Sequence, residues 1–285
     1  MKINYTIGAI ALSAILFTAC GGSKESENSH VTQDSTAAVS DDTVAATVDD
    51  TILFKFDFTV ANVPSPASLI YGIKKMSKAY DRGVLNETGK VGGFPAEFQK
   101  AVNLGIYNID MAYAVVNNMG ADVLEYLKSI IILGDGLGLK NTITDMVGKR
   151  AEQNLGNRDS LFAVLDGIYD KSDKYLRTNK RVYVASLVFT GSWVEVLYLS
   201  TKAAESNPAA KAEVNKLIWE QRFHLGNIIK MLSDHKGDNE YQMLIKDLKE
   251  IHQLITEVRQ VKEMDEVKSK LITERIQNLR MRLSN

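Results

Sequence analysis

From residue 65 onward, apolar positions recur at spacings of three and four, the period of an amphipathic helix. Ser65-Pro66 is a helix start, with serine as N-cap and proline in the first turn, and Leu69, Ile70, Ile73, Met76 and Tyr80 then form one stripe. Pro95 opens a second helix that runs to about residue 119, with Gly120 at the expected C′ position. A third spans about 121–133 and is closed by Gly134, Gly136 and Gly138. Residues 142–154 and 158–177 read as amphipathic helices, and 182–199 is apolar on nearly every face. Pro208 opens a helix to about residue 235, with Leu217, Ile218, Leu225, Ile228, Ile229 and Leu232 inward, and Gly237 breaks it. From 238 to 285 there is no glycine or proline. The stripe there loses phase near Lys262, which predicts two antiparallel helices with a turn at 260–264, or one kinked helix.

Two stretches depart from this rhythm. Residues 51–61 alternate, with Ile52, Phe54, Phe56, Phe58 and Val60 on one side, a period-two pattern that predicts an extended segment laid into a groove. Residues 81–94, with Gly83, Gly89, Gly92 and Gly93, predict a long loop of the kind that carries function. The fold class is all-α: a multi-helix bundle or irregular α-α array of about eight or nine helices within one domain, 51–285. Its main bundle is 65–235 and its last part, 238–285, is a hairpin or long helix. Glycines 72, 105, 167, 191 and 226 fall inside expected helices, where each costs about 1 kcal/mol relative to alanine. Close approach of a neighbouring helix offsets that cost, so Gly105 and Gly191 are expected at helix crossings.

The N-terminus has a different grammar. Lys2 precedes an apolar run at 7–17, the size of a secretory h-region and too short to span a bilayer. Leu16-Phe17-Thr18-Ala19-Cys20 follows, and Cys20 is the only cysteine of the 285 residues. This run resembles a bacterial lipoprotein signal, which implies a signal peptide at 1–19, lipidation of Cys20 and a membrane anchor there. Residues 20–50 then read as a disordered tether. They are rich in glycine, serine, threonine, alanine and acid, and cannot bury enough surface to offset chain entropy.

Charge sharpens the division. Residues 21–50 hold seven acids against one lysine, whereas 51–285 holds 28 acids against 32 lysines and arginines, a formal +4. So small and scattered a charge offers no footprint for nucleic acid. Residues 182–199 have transmembrane length, but Glu195 sits centrally, at a cost of roughly 2.5–3.5 kcal/mol in a bilayer; a buried bundle helix is expected.

Catalytic patterns are sparse. Gly134-Asp135-Gly136-Leu137-Gly138 ends a helix rather than following a strand, which fails the phosphate-loop context. No histidine has a glutamate three residues before it, and no Gly-x-Ser-x-Gly elbow occurs. Glu220 and His224, one turn apart, suit a surface pair better than a metal site. No cofactor or metal is implied, and an enzyme has no support beyond two acids. In Gly105, Tyr107, Asp110, Tyr113 and in Gly191, Trp193, Glu195, Tyr198, the order glycine, aromatic, acid, tyrosine recurs within a helix. An unpaired buried carboxylate is expensive, so each acid needs a partner, a proton or a wet cavity. Two uses are open. One is structural, through hydrogen bonds to tyrosines or ion pairs with Arg150, Arg158 or Arg181. The other is a polar pocket lined by Tyr107, Tyr113, Trp193 and Tyr198.

Pro64-Ser65-Pro66, the run from Ala101 to Tyr113 (AVNLGIYNIDMAY) and the run from Gly191 to Tyr198 (GSWVEVLY) resemble a family of Bacteroidota lipoproteins. The resemblance covers about residues 60–235 and carries over no activity. Lys24-Glu25-Ser26-Glu27 is similar to the acidic export signal of lipoproteins of that phylum that face outward. The implied location is the outer membrane, on its periplasmic or its external face, with an envelope protein as partner.

Overall fold

The most apolar stretch of the chain becomes the axis of the fold. In the computed structural model, which describes residues 50–62, 66–144, 154 and 156–285, the helix Val182–Ser206 (α6) is packed against helices on all sides. Before it come α1 (Asp50–Asn62), α2 (Pro66–Met76), α3 (Glu97–Val116), α4 (Gly120–Gly136) and α5 (Arg158–Thr178). After it come α7 (Lys211–Glu220), α8 (Arg222–Ser233), α9 (Asn239–Thr256) and α10 (Glu266–Leu283). Helix α6 touches α1, α2, α3, α5, α7, α8 and α10, which is why it needs no polar face. It is long and apolar enough to cross a membrane, yet 89% of its most apolar window is buried inside the bundle. The described residues hold helices and no strand, so the fold is all-α.

Helix α3 is the other pillar, buried from Ala101 to Val116 without interruption. It crosses α6 at the two glycines singled out from sequence. A Cβ at Gly105 would run into the Val188 carbonyl oxygen and lie 2.7 Å from Ser192 N; one at Gly191 would run into the Val102 carbonyl, 2.9 Å from its carbon. The two main chains therefore touch reciprocally. Ser192 completes the crossing: its hydroxyl is placed to donate to Gly105 O or to its own helix at Val188 O, each 3.1 Å away.

Three expectations need correction. Residues 51–61 are not extended but helical, within α1. The alternating row also contains i, i+4 sets (52, 56, 60 and 54, 58), so it fits a helix equally well. A helix satisfies its own backbone groups where the described residues offer no partner strand. Phe56 and Thr59 face the core, while Phe54 and Phe58 stack on each other at the surface, ring centroids 6.4 Å apart. The second concerns 208–235, which is a 3-10 turn at Pro208–Ala210 followed by α7 and α8, interrupted at Gln221. Gln221 is buried, and its side chain accepts a hydrogen bond from Trp193 Nε1 (3.1 Å). These two changes bring the helices with described bounds to ten. Third, Gly120 is not a C′ residue but the first residue of α4; the left-handed position is Asn118, at φ 59°. There Asn118 N bonds Val115 O and Met119 N bonds Ala114 O, the paired bonds of a Schellman turn. Gly138 (φ 73°) ends α4 and Lys180 (φ 58°) ends α5 in the same way.

Helices α9 and α10 are separate and antiparallel, joined through a 3-10 turn at Val261–Glu263. Arg275 meets Glu250 (3.9 Å) while Arg282, further along, meets the earlier Asp247. Residues 1–49, with Cys20 and the stretches expected as signal peptide and tether, Ser65 and most of the 142–154 stretch lie outside the described residues.

Candidate functional site

The loop between α2 and α3 is built of two 3-10 turns, Arg82–Val84 and Thr88–Gly93, and it folds inward rather than away. Leu85, Asn86, Val91 and Phe94 are buried. Asn86 meets α3 head-on: its backbone N–H (3.1 Å) and its amide Nδ2 (2.9 Å) both donate to Asp110 Oδ2. Its carbonyl accepts from the Tyr126 hydroxyl at 2.7 Å. Tyr107, one turn before Asp110, donates to the Glu87 carbonyl at 2.8 Å, so the loop is pinned twice by α3.

Glu195, on α6, is fully buried. Its partner comes from α10: Arg280 Nε donates to Oε2 at 2.9 Å and the guanidinium's terminal nitrogen to Oε1 at 3.2 Å, a bidentate pair. The same guanidinium lies 4.3 Å over the Tyr198 ring and reaches the Val84 carbonyl of the loop at 3.4 Å. Helix α6 and the α2–α3 loop thus converge on one charged side chain of α10.

The electrostatics are unequal. Burial, then the charge of Glu195, pushes the Asp110 carboxyl well above the usual carboxylate range, against the pull of Arg280 and the Asn86 donors. Burial opposes the charge on Arg280, but Glu195 and Asp110 beside it hold the guanidinium protonated. One base faces two acids, and Asp110 Oδ1 has no hydrogen-bond partner. Asp110 is therefore held toward its neutral form, while the arginine's two hydrogen bonds go to Glu195.

Of the six residues expected around one pocket, the structure gathers Tyr107, Asp110, Glu195 and Tyr198 into this cluster. Tyr113 stands apart, stacked on Tyr80 with centroids 5.4 Å apart, and Trp193 is directed to Gln221. The arginines expected as partners are engaged elsewhere or undescribed. Arg181 pairs with Glu97, Arg158 lies near Asp159, and Arg150 is outside the described residues. Arg280 carried little signal, since the apolar stripe of Ile272 and Ile276 continues at Leu279 and Leu283 on either side of it. Asn86 carried none.

A second polar knot supports the loop from outside. Arg82 pairs with Asp122 (3.2 Å) and Glu125 (3.1 Å) and covers the Tyr126 ring, while Tyr80 donates to Asp122. Glu220 is spent on Lys216 at 3.8 Å, and among the described residues no three His, Cys, Asp or Glu side chains converge on a metal site.

The fold and the cluster together define an all-α bundle with an ionic core. No family model, curated protein or solved structure matches the chain.

Proposed function

We propose that this is a lipid-anchored helical protein of the bacterial outer membrane, acting as a non-enzymatic binding or scaffold component of the envelope. The observation that carries the anchor is the apolar run at 7–17 followed by Leu16-Phe17-Thr18-Ala19-Cys20, with the chain's only cysteine at its end. The non-enzymatic part rests on the fate of the two acids. Glu195 is closed by a bidentate arginine and Asp110 is engaged by a loop amide, so neither is offered to a substrate as a free acid or base. The glycine-, serine-, threonine- and acid-rich composition of residues 20–50 supports this reading, because a flexible chain of about thirty residues has an r.m.s. span near 30 Å and would let the body meet a partner protein clear of the headgroups.

Metabolic labelling with palmitate tests the anchor. Wild type takes up label and Cys20→Ala takes up none, remaining as the unprocessed precursor. Label retained by Cys20→Ala refutes the assignment. Protease shaving of intact cells then reports which face of the membrane carries the body.

A further inference from the structure

A partly enclosed cavity of about 190 Å³ opens between α1, α3, α5 and α6, with no residue of the ionic cluster in its wall. Most of the wall is apolar, from Phe56, Leu104, Leu176, Val188 and Phe189. Beside Tyr169, Asp170 and Asp173, its polar side chains include Asn108 of α3 and Ser172 of α5. The last two are only 2% and 5% exposed, and neither Asn108 Oδ1 nor Ser172 Oγ has a hydrogen-bond partner. A buried polar atom left unpaired costs about 1–3 kcal/mol. Both atoms belong to residues of the same cavity wall, and both are able to accept a hydrogen bond from a donor that reaches them.

The charge around the cavity is one-sided. Asp170 and Asp173 line it, and Asp57 lies just beyond, sharing Arg177 with Asp173 (2.6 and 2.9 Å), the one base paired with them among the described residues. Three acids face one arginine. Burial, together with Asp57 and Asp170, lifts the Asp173 carboxyl above its ordinary range in spite of Arg177.

We propose that this cavity binds a small amphipathic amine, with the apolar body among Phe56, Leu104 and Phe189 and the ammonium donating to Asn108 and Ser172 beside the acids. An apolar cavity of about 150 Å³ accepts benzene, so this one accommodates an aromatic ring with a two-carbon tail. The ammonium supplies three donors and no acceptor, which matches the unpaired atoms, and its charge answers the surplus of carboxylates. The inference does not rest on the lipid anchor; a failed palmitate experiment leaves it standing.

Isothermal titration of the full chain in detergent with 2-phenylethylamine tests it, with 3-phenylpropanoate as an anion of similar shape. The amine gives saturable one-to-one heat, and the anion binds more than about tenfold weaker, the worth of one charge-assisted contact. Ala185 also lines the cavity, so Ala185→Phe places a ring in it and abolishes the amine's heat. Should that variant not fold, Ser172→Ala and Asp173→Asn serve, each weakening the amine about tenfold with the melting transition retained. The proposal is overturned by no saturable heat with the amine, by equal affinity for the anion, or by undiminished binding in the folded variants.

Discussion

Replacing Gly191 with alanine adds one methyl group at the crossing of α3 and α6. In an exposed helix the change stabilises by roughly 0.4–1 kcal/mol, because glycine loses more backbone entropy on folding. Here the new carbon would sit 2.9 Å from the carbonyl carbon of Val102 and 3.2 Å from its Cα, and closer still to the oxygen. These are main-chain atoms of a helix buried along its length, and no side chain can rotate to make room. The helices must part by about 1 Å along a fully packed seam to restore a normal contact with that oxygen. Overpacking of this kind costs about 1–3 kcal/mol, which outweighs the helix-propensity gain. Gly105→Ala meets Val188 and Ser192 across the same seam, so the double variant costs less than the sum of the singles, the parting being shared. Gly72→Ala, in α2 with nothing within 4 Å of the added carbon, is the internal control and gains up to about 1 kcal/mol. Urea unfolding followed at 222 nm reads all four variants. A Gly191→Ala protein as stable as wild type, with Gly72→Ala behaving as expected, refutes the backbone-contact reading.

The ionic cluster makes two further predictions. Arg280→Met strands Glu195 and lowers stability by about 3–5 kcal/mol, and adding Glu195→Met recovers most of the loss; failure to recover in a denaturant melt contradicts the pairing. Asp110 has its folded-state pKa raised, so its contribution is fully present below the unfolded carboxylate range and lost as pH rises toward the folded value. Wild type should therefore lose stability relative to Asp110→Asn as pH increases from about 4 toward 8, and parallel stability curves over that window would count against the raised pKa. At the end of α5, Lys180 occupies a left-handed position that glycine adopts without strain, so Lys180→Gly should stabilise by about 1 kcal/mol in the same melts.

Much of the architecture is legible because helices are local: α5 and α6 begin at the residues where the hydropathy pattern starts, and the glycine crossing follows from the cost of glycine within a helix. What was not legible depended on partners. The row from Ile52 to Val60 fits both periods, and only the surroundings decide between them. Gln221 interrupts a helix whose pattern continues through it. The acids were visible as isolated anomalies, while Asn86 and Arg280, 24 residues before Asp110 and 85 after Glu195, were not tied to them by spacing. The cavity left no trace in the pattern, since Asn108 sits within a run that reads as solid core.

The position of Arg280 sets an order of events during synthesis. Glu195 belongs to the central helix, so most of its packing partners are made before its counter-charge exists. Until α10 is present, the face of α6 that carries Glu195 lacks both the helix that packs on it and its counter-charge. Leu283 adds a second late bolt, its carbonyl accepting from Asn103 Nδ2 inside α3 at 2.8 Å. Residues of α10 thereby close two polar contacts, at Glu195 and at Asn103, that the central helices cannot make among themselves.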